Sequence, residues 1–250
     1  MYALLDSLVG SPQIGMQIGQ TNQVPSLTSP GLFATAVDPW WGAGEFIYGY
    51  ANGSIREFGL CVMTPSFQAA SGVNFSANQY RWDMTEVPNT ANLGRPLCVA
   101  MQPMSAGQLG WFCIAGLVPV NSNAAVAAGS IGIAAAGQAG ANSGGKQMLN
   151  AVSLAGSANT VVKTNCTAPI GTTQIQVPNS DGWFPGVFLS GGGIPAATKV
   201  VSVDGSGRFV TVSNATTGVV AGSVTATYNN AAIFFNVVHL MRVFAQGAIT

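Results

Sequence analysis

The chain predicts an all-β fold, on three observations. Thirty-two glycines and 13 prolines punctuate its 250 residues, spacing that favours short segments joined by turns. Between them Val, Ile, Thr and aromatic residues gather in short runs, which suits a pleated, half-buried surface. Period-2 alternation marks TKVVSV (198–203), RFVTVS (208–213) and SVTATY (223–228), putting one side of each segment inward. The organisation read from these signals is an antiparallel β-barrel or jelly-roll-like main domain over 36–160 plus 230–250. An extended N-terminal arm covers 1–35, and a small inserted β-sandwich module covers 165–229.

In chain order, Leu4, Leu5 and Leu8 can form a short helical turn. The stretch that follows, GSPQIGMQIGQTNQVPSLTSPG, has no amphipathic period and too few apolar positions to fold alone, so an ordered arm would lie on a neighbour. Strands are predicted in GEFIYGYANG (44–53), REFGLCVMT (56–64), RPLCVAMQ (95–102) and GWFCIAGLVPV (110–120). Residues 71–94, polar with isolated aromatics, read as a surface loop with its own role. That loop carries Arg81, Asp83 and Glu86, either paired with one another or offered to a partner. Residues 121–160 are nearly all Ala, Gly, Asn and Ser, with little side-chain volume for a core, and the β-domain weakens there. Asp204-Gly205, between two alternating runs, is the strongest hairpin signal. The run AAIFFNVVHLMRVFAQG (231–247) reads as a long final strand returning to the first domain.

Charge narrows the function classes. Eight Lys+Arg and eight Asp+Glu give a formal net charge of zero, where ordinary domains spend about a quarter of their residues on charge. With no basic cluster, the electrostatic footprint of a nucleic-acid binder is missing. No uninterrupted run of about 18 apolar residues offers a membrane span, and MYALLDSLVG lacks the basic residue and apolar length of a secretory signal. A neutral, amide-rich surface suits a protein covered by neighbours in a large assembly. Cys61, Cys98, Cys113 and Cys166 are widely separated, three of them in apolar runs, and read as buried free thiols of a reducing compartment.

Sites for chemistry are few, and no metal or cofactor is implied. Gly140, Gly145 and Lys146 match part of a phosphate-loop pattern, but Gln147 stands where the magnesium-binding Ser or Thr belongs. The Ser190–Gly193 run reads as a β-loop. Asp83 with Glu86, and Asp38 with Glu45, are the only carboxylate pairs to offer for acid–base work, and neither has a second supporting feature. His239, the single histidine, reads as a core or interface residue. The sequons at Asn74, Asn165 and Asn214 carry little weight without a secretory signal.

Two segments carry a resemblance. GLFATAVDPWWGAGEFIYGYANGSIREFGLCVM (31–63), continued by GRPLCVAMQPMSAGQLGWFCIAGLVPV (94–120), resembles tailed-bacteriophage capsid decoration, or cement, proteins. VFLSGGGIPAATKVVSVDGSGRFVTVSNATT (187–217) is similar to a small β module inserted in many phage structural proteins. The resemblance implies a non-enzymatic virion protein, made in the host cytoplasm, that binds the outside of an icosahedral head and clamps adjacent major capsid protein subunits. It also implies a homotrimer whose partners are the capsid protein and itself, with no direct nucleic-acid or membrane contact. On that reading the arm clamps, through Leu4, Leu5, Leu8, Ile14, Met16 and Ile18. Trp40, Trp41, Tyr48, Tyr50, Arg81 and Trp82 are further interface candidates. The competing reading is a head-fibre or tail-associated adhesin whose 165–229 module presents Trp183 and Phe184 to host glycan. A third, a polysaccharide-degrading enzyme, would rest on Asp83 and Glu86.

Overall fold

The computed structural model describes residues 3–4, 21–22, 33–38, 42–68, 79–124, 126–155, 160–180, 183, 185–227 and 234–247. The fold is all-β, with no helix among the described residues. The chain divides into two compact units, Met1–Gly156 with Phe235–Thr250, and Ser157–Phe234.

Unit 1 holds twelve strands in one mixed sheet: β1 (Ala3–Leu4), β2 (Thr21–Asn22), β3 (Phe33–Asp38), β4 (Gly42–Ala51), β5 (Leu60–Gln68), β6 (Gln79–Glu86), β7 (Leu97–Ala100), β8 (Leu109–Ser122), β9 (Gly129–Ala135), β10 (Gln138–Ala141), β11 (Gln147–Ala155) and β18 (Phe234–Ala245). Its pairings close two circuits. One runs β4–β6–β5–β7–β8 and back to β4; the other runs β8–β10–β9–β11–β18 and back to β8. Strand β8, 14 residues long, is common to both. The barrel expectation holds, with the difference that β4–β6 and β8–β10 run parallel.

The first circuit encloses a core of Ile47, Ala51, Ile55, Cys61, Met63, Met84, Cys98, Ala100, Met104, Phe112 and Ile114, with Trp82 packed against it. The unbranched thioethers of Met63, Met84 and Met104 fill irregular space in this core. Cys61, Cys98, Cys113 and, in unit 2, Cys166 are free and buried. Burial pushes the Cys113 thiol up to about 12 and drives Cys61 and Cys98 well above their ordinary value, so these thiols act as small apolar groups.

Three expectations need correction. Residues 79–86, read as part of a loop, are strand β6, paired with β5 from Cys61↔Glu86 to Gln68↔Gln79. Tyr80, Trp82 and Met84 alternate there with Arg81, Asp83 and Thr85, but the charges hide the period. Residues 121–160 do not weaken the domain: they supply β9, β10 and β11. Ile131 and Ile133 are buried, and small neighbours permit close backbone approach. A Cβ at Gly132 would stand 3.0 Å from Asn142 Cα and from the Lys146 carbonyl oxygen. Leu4 lies in a strand, with Ala3↔Val37 and Leu4↔Ala36 in register, so no helical turn includes it.

Strand β8 changes partners at Gly116. Its ladder with β4 runs from Tyr50↔Leu109 to Gly44↔Gly116, and Gly116 has φ +116°. A Cβ there would lie 2.8 Å from both the Ala43 carbonyl oxygen and Gly44 Cα. Both contacts are backbone and cannot move aside as a side chain would.

Unit 2 is a six-stranded antiparallel sheet in the order β14 (Phe188–Gly191), β17 (Val220–Thr227), β12 (Thr160–Ala168), β13 (Gln174–Gln176), β16 (Phe209–Val212), β15 (Val200–Val203). Its two ends meet, since Val200 N donates to Val187 O at 2.8 Å and Gly186 N to Val200 O at 2.9 Å. Ile175, Val187, Val210 and Val224 fill the inside. The β15–β16 hairpin turns at Asp204, whose carboxylate accepts the backbone N–H groups of Ser206, Arg208 and Phe209 and the Ser206 hydroxyl. The Ser206 hydroxyl, then the backbone donors, hold this carboxyl below its usual range.

We expect Gly116→Ala to cost about 3 kcal/mol, because it adds a backbone clash to a left-handed strain, and Gly53→Ala only about 1 kcal/mol. Gly53 has φ +129° but open space around its Cα. Urea unfolding of the two variants measures the difference; equal costs would show that the close approach at Gly116 is unimportant.

Candidate interaction surface

The face of greatest chemical interest lies on β18 and its neighbours. In the β11–β18 ladder Leu149 pairs with Phe244 and Ala151 with Leu240, so three residues of β18, Met241–Val243, stand opposite Asn150 alone. Both sides of this bulge hold left-handed non-glycine residues, Asn150 at φ 60° and Arg242 at φ 52°. Bulges re-aim side chains, and left-handed backbone at such residues persists only where its surroundings impose it. Here Arg242 is turned toward β4, where its Nε and Nη2 donate to Glu45 Oε2 at 3.0 Å.

Beside this ion pair runs an open groove of about 520 Å³. Ala43, Gly44, Ala115 and Gly116 form a floor of small residues, and His239, Met241 and Arg242 stand among its walls. His239 is exposed rather than part of the core. The bulge also leaves apolar side chains outside: Leu149, Val152, Leu154, Met241 and Phe244 are each between 39% and 47% exposed.

The residues singled out from the sequence are dispersed. Tyr48 is fully buried and packs on Trp111 with ring centroids 5.1 Å apart; it belongs to the interior, which corrects its reading as an interface anchor. Trp82 packs on the first core. Tyr50 and Arg81 form a cluster with Asp83: the Arg81 guanidinium lies 3.7 Å above the Tyr50 ring and pairs with the Asp83 carboxylate. Glu86 instead accepts three hydrogen bonds from Arg56, at 2.8, 2.8 and 3.0 Å. Asp83 and Glu86 are therefore each occupied by a different arginine, and the proposed acid–base pair does not converge. Glu45 is likewise taken up by Arg242.

Trp183 is 4% exposed, with its indole N–H donating to the Val161 carbonyl at 3.4 Å. A ring packed inward cannot serve as the glycan platform expected of it. Leu5, Leu8, Ile14, Met16, Ile18, Trp40, Trp41 and Phe184 lie outside the described residues. The described parts of the 1–35 stretch belong to the chain's own sheet: Ala3–Leu4 pair with β3, Thr21–Asn22 pair with β8, and Phe33–Thr35 open β3 itself. Among the described residues no group of three or more His, Cys, Asp or Glu is placed to hold a metal ion. No family model, curated protein or solved structure matches this chain.

Two measurements test the electrostatics. Arg81→Met leaves the largely buried Asp83 without its guanidinium, so we expect a loss of about 3 kcal/mol in denaturant unfolding; a loss below about 0.5 kcal/mol, the scale of an exposed pair, would contradict it. Burial pushes the half-buried Glu57 carboxyl from 4.5 up to about 8. Between those values the native state holds a proton that the unfolded chain has released, so the contribution of Glu57 to stability is fully present below about 4.5 and is lost as pH rises toward 8. Glu57→Gln should flatten that decline by on the order of 2 kcal/mol, and an unchanged slope in pH-dependent melts would place its cause elsewhere.

Proposed function

We propose that this is a non-enzymatic virion structural protein that decorates the outside of an icosahedral phage capsid and clamps adjacent major capsid subunits. The carrying observation is the surface. Ten large apolar side chains are exposed among the described residues of a chain with only 16 charges: Phe33, Leu149, Val152, Leu154, Val162, Ile170, Val201, Val219, Met241 and Phe244. An uncharged surface of that kind suits a molecule that works surrounded by neighbours. The resemblance of 31–63, 94–120 and 187–217 to decoration proteins names the assembly. The clamp on this reading comes from the 1–35 stretch beyond Ala3–Leu4, Thr21–Asn22 and Phe33–Thr35, which pair within the chain's own sheet, and many copies on one shell make modest contacts collectively durable. Of the two aromatics on which the adhesin reading rests, Trp183 is buried and Phe184 lies outside the described residues.

Incubation of the purified protein with capsids that lack it, followed by sedimentation and heating, tests this. We expect co-sedimentation at fixed stoichiometry and fewer ruptured heads, with removal of residues 1–32 weakening attachment at least tenfold, about 1.4 kcal/mol. Protein left in the supernatant, or heads no more heat-resistant with it than without it, would overturn the proposal.

A further inference from the structure

We propose that the outer face of the β11–β18 ladder is where a second copy of this chain packs. Its five apolar side chains are contiguous: Leu149 stands opposite Phe244, Val152 opposite His239, Met241 lies between those pairs along β18, and Leu154 extends the row along β11. At the exposures given above they present on the order of 400 Å² of apolar surface, in the range of the largest patch on a typical monomer. A standard interface takes about 800 Å² from each partner. Asn150, His239 and the Glu45–Arg242 pair supply a polar rim to this apolar centre.

The occupant follows from charge and shape. Arg242 is the charged residue that β18 brings to this face, and Glu45 of the same chain already neutralises it. A strongly charged partner finds no complement here, whereas an identical apolar face finds one without stranding a polar group. Two copies also approach without net repulsion, because the formal net charge is zero. At the centre sits Met241, a flexible thioether able to adjust to its own image. The bulge at Met241–Val243 thus has two effects: it seats the neutralising ion pair and pushes the central apolar residue outward.

Sedimentation velocity of the full chain, with no capsid present, tests the proposal. The unmodified protein should associate, and M241E or F244E should weaken association about 100-fold, with the thermal melt of the separated chains unchanged. V162E, at an apolar residue 54% exposed in unit 2, should leave association intact. Should M241E or F244E fail to fold, M241C decides: the four native thiols are buried, so a bis-maleimide should link M241C chains in pairs. A monomeric parent protein, an oligomer indifferent to M241E and F244E, or the absence of M241C cross-links would overturn the proposal. Capsid binding is a separate outcome, since a monomer that decorates heads would refute this contact alone, and an oligomer that ignores heads would refute only the decoration reading.

Discussion

Strand β8 is the constraint on which unit 1 depends, because its backbone closes two circuits at once. In its first half it pairs with β4 and β7, and near its end Ser122 pairs with Ala139 of β10. Phe112 and Ile114 point from β8 into the first core, while Trp111 packs against Tyr48. A 14-residue strand cannot satisfy these partners with uniform geometry, and Gly116 is where the ladder with β4 ends. A closed circuit also leaves few strand edges open to stray pairing, which matters for a chain with little charge to repel copies of itself.

Six of the 16 charged residues form three positioning ion pairs among the described residues. Arg56 with Glu86 ties the turn before β5 to the end of β6, Arg81 with Asp83 is set into the outer side of β6 over Tyr50, and Arg242 with Glu45 joins the bulged β18 to β4. Pairs committed in this way add little repulsion between molecules. The physical link from composition to function is therefore the covering of apolar surface, by other copies and, on the reading proposed above, by a capsid.

Much of the fold was legible in the sequence because β-branched and aromatic runs bounded by glycine mark β4, β5, β7, β8 and β18 directly. Strand β6 was hidden by Arg81, Asp83 and Glu86, although Tyr80, Trp82 and Met84 kept the two-residue period beneath them. Strands β9 to β11 were hidden because their stability rests on close backbone approach by Gly and Ala, which no hydrophobic pattern records. The candidate surface was the least legible part. Its exposure pattern depends on left-handed backbone at Asn150 and Arg242; asparagine tolerates that conformation, but an arginine gives no sign of it in sequence. Tyr48 and Trp183 misled for a related reason: an aromatic in a strand is equally suited to either face, and only the finished sheet decides which.

Native-state hydrogen exchange in increasing urea tests the central claim, that one shared strand makes unit 1 a single cooperative body. The β8 amides should be the slowest of unit 1, with β4–β7 and β9–β11 losing protection at the same urea concentration. Loss of β9–β11 protection well before β4–β7, with β8 dividing between them, would contradict it.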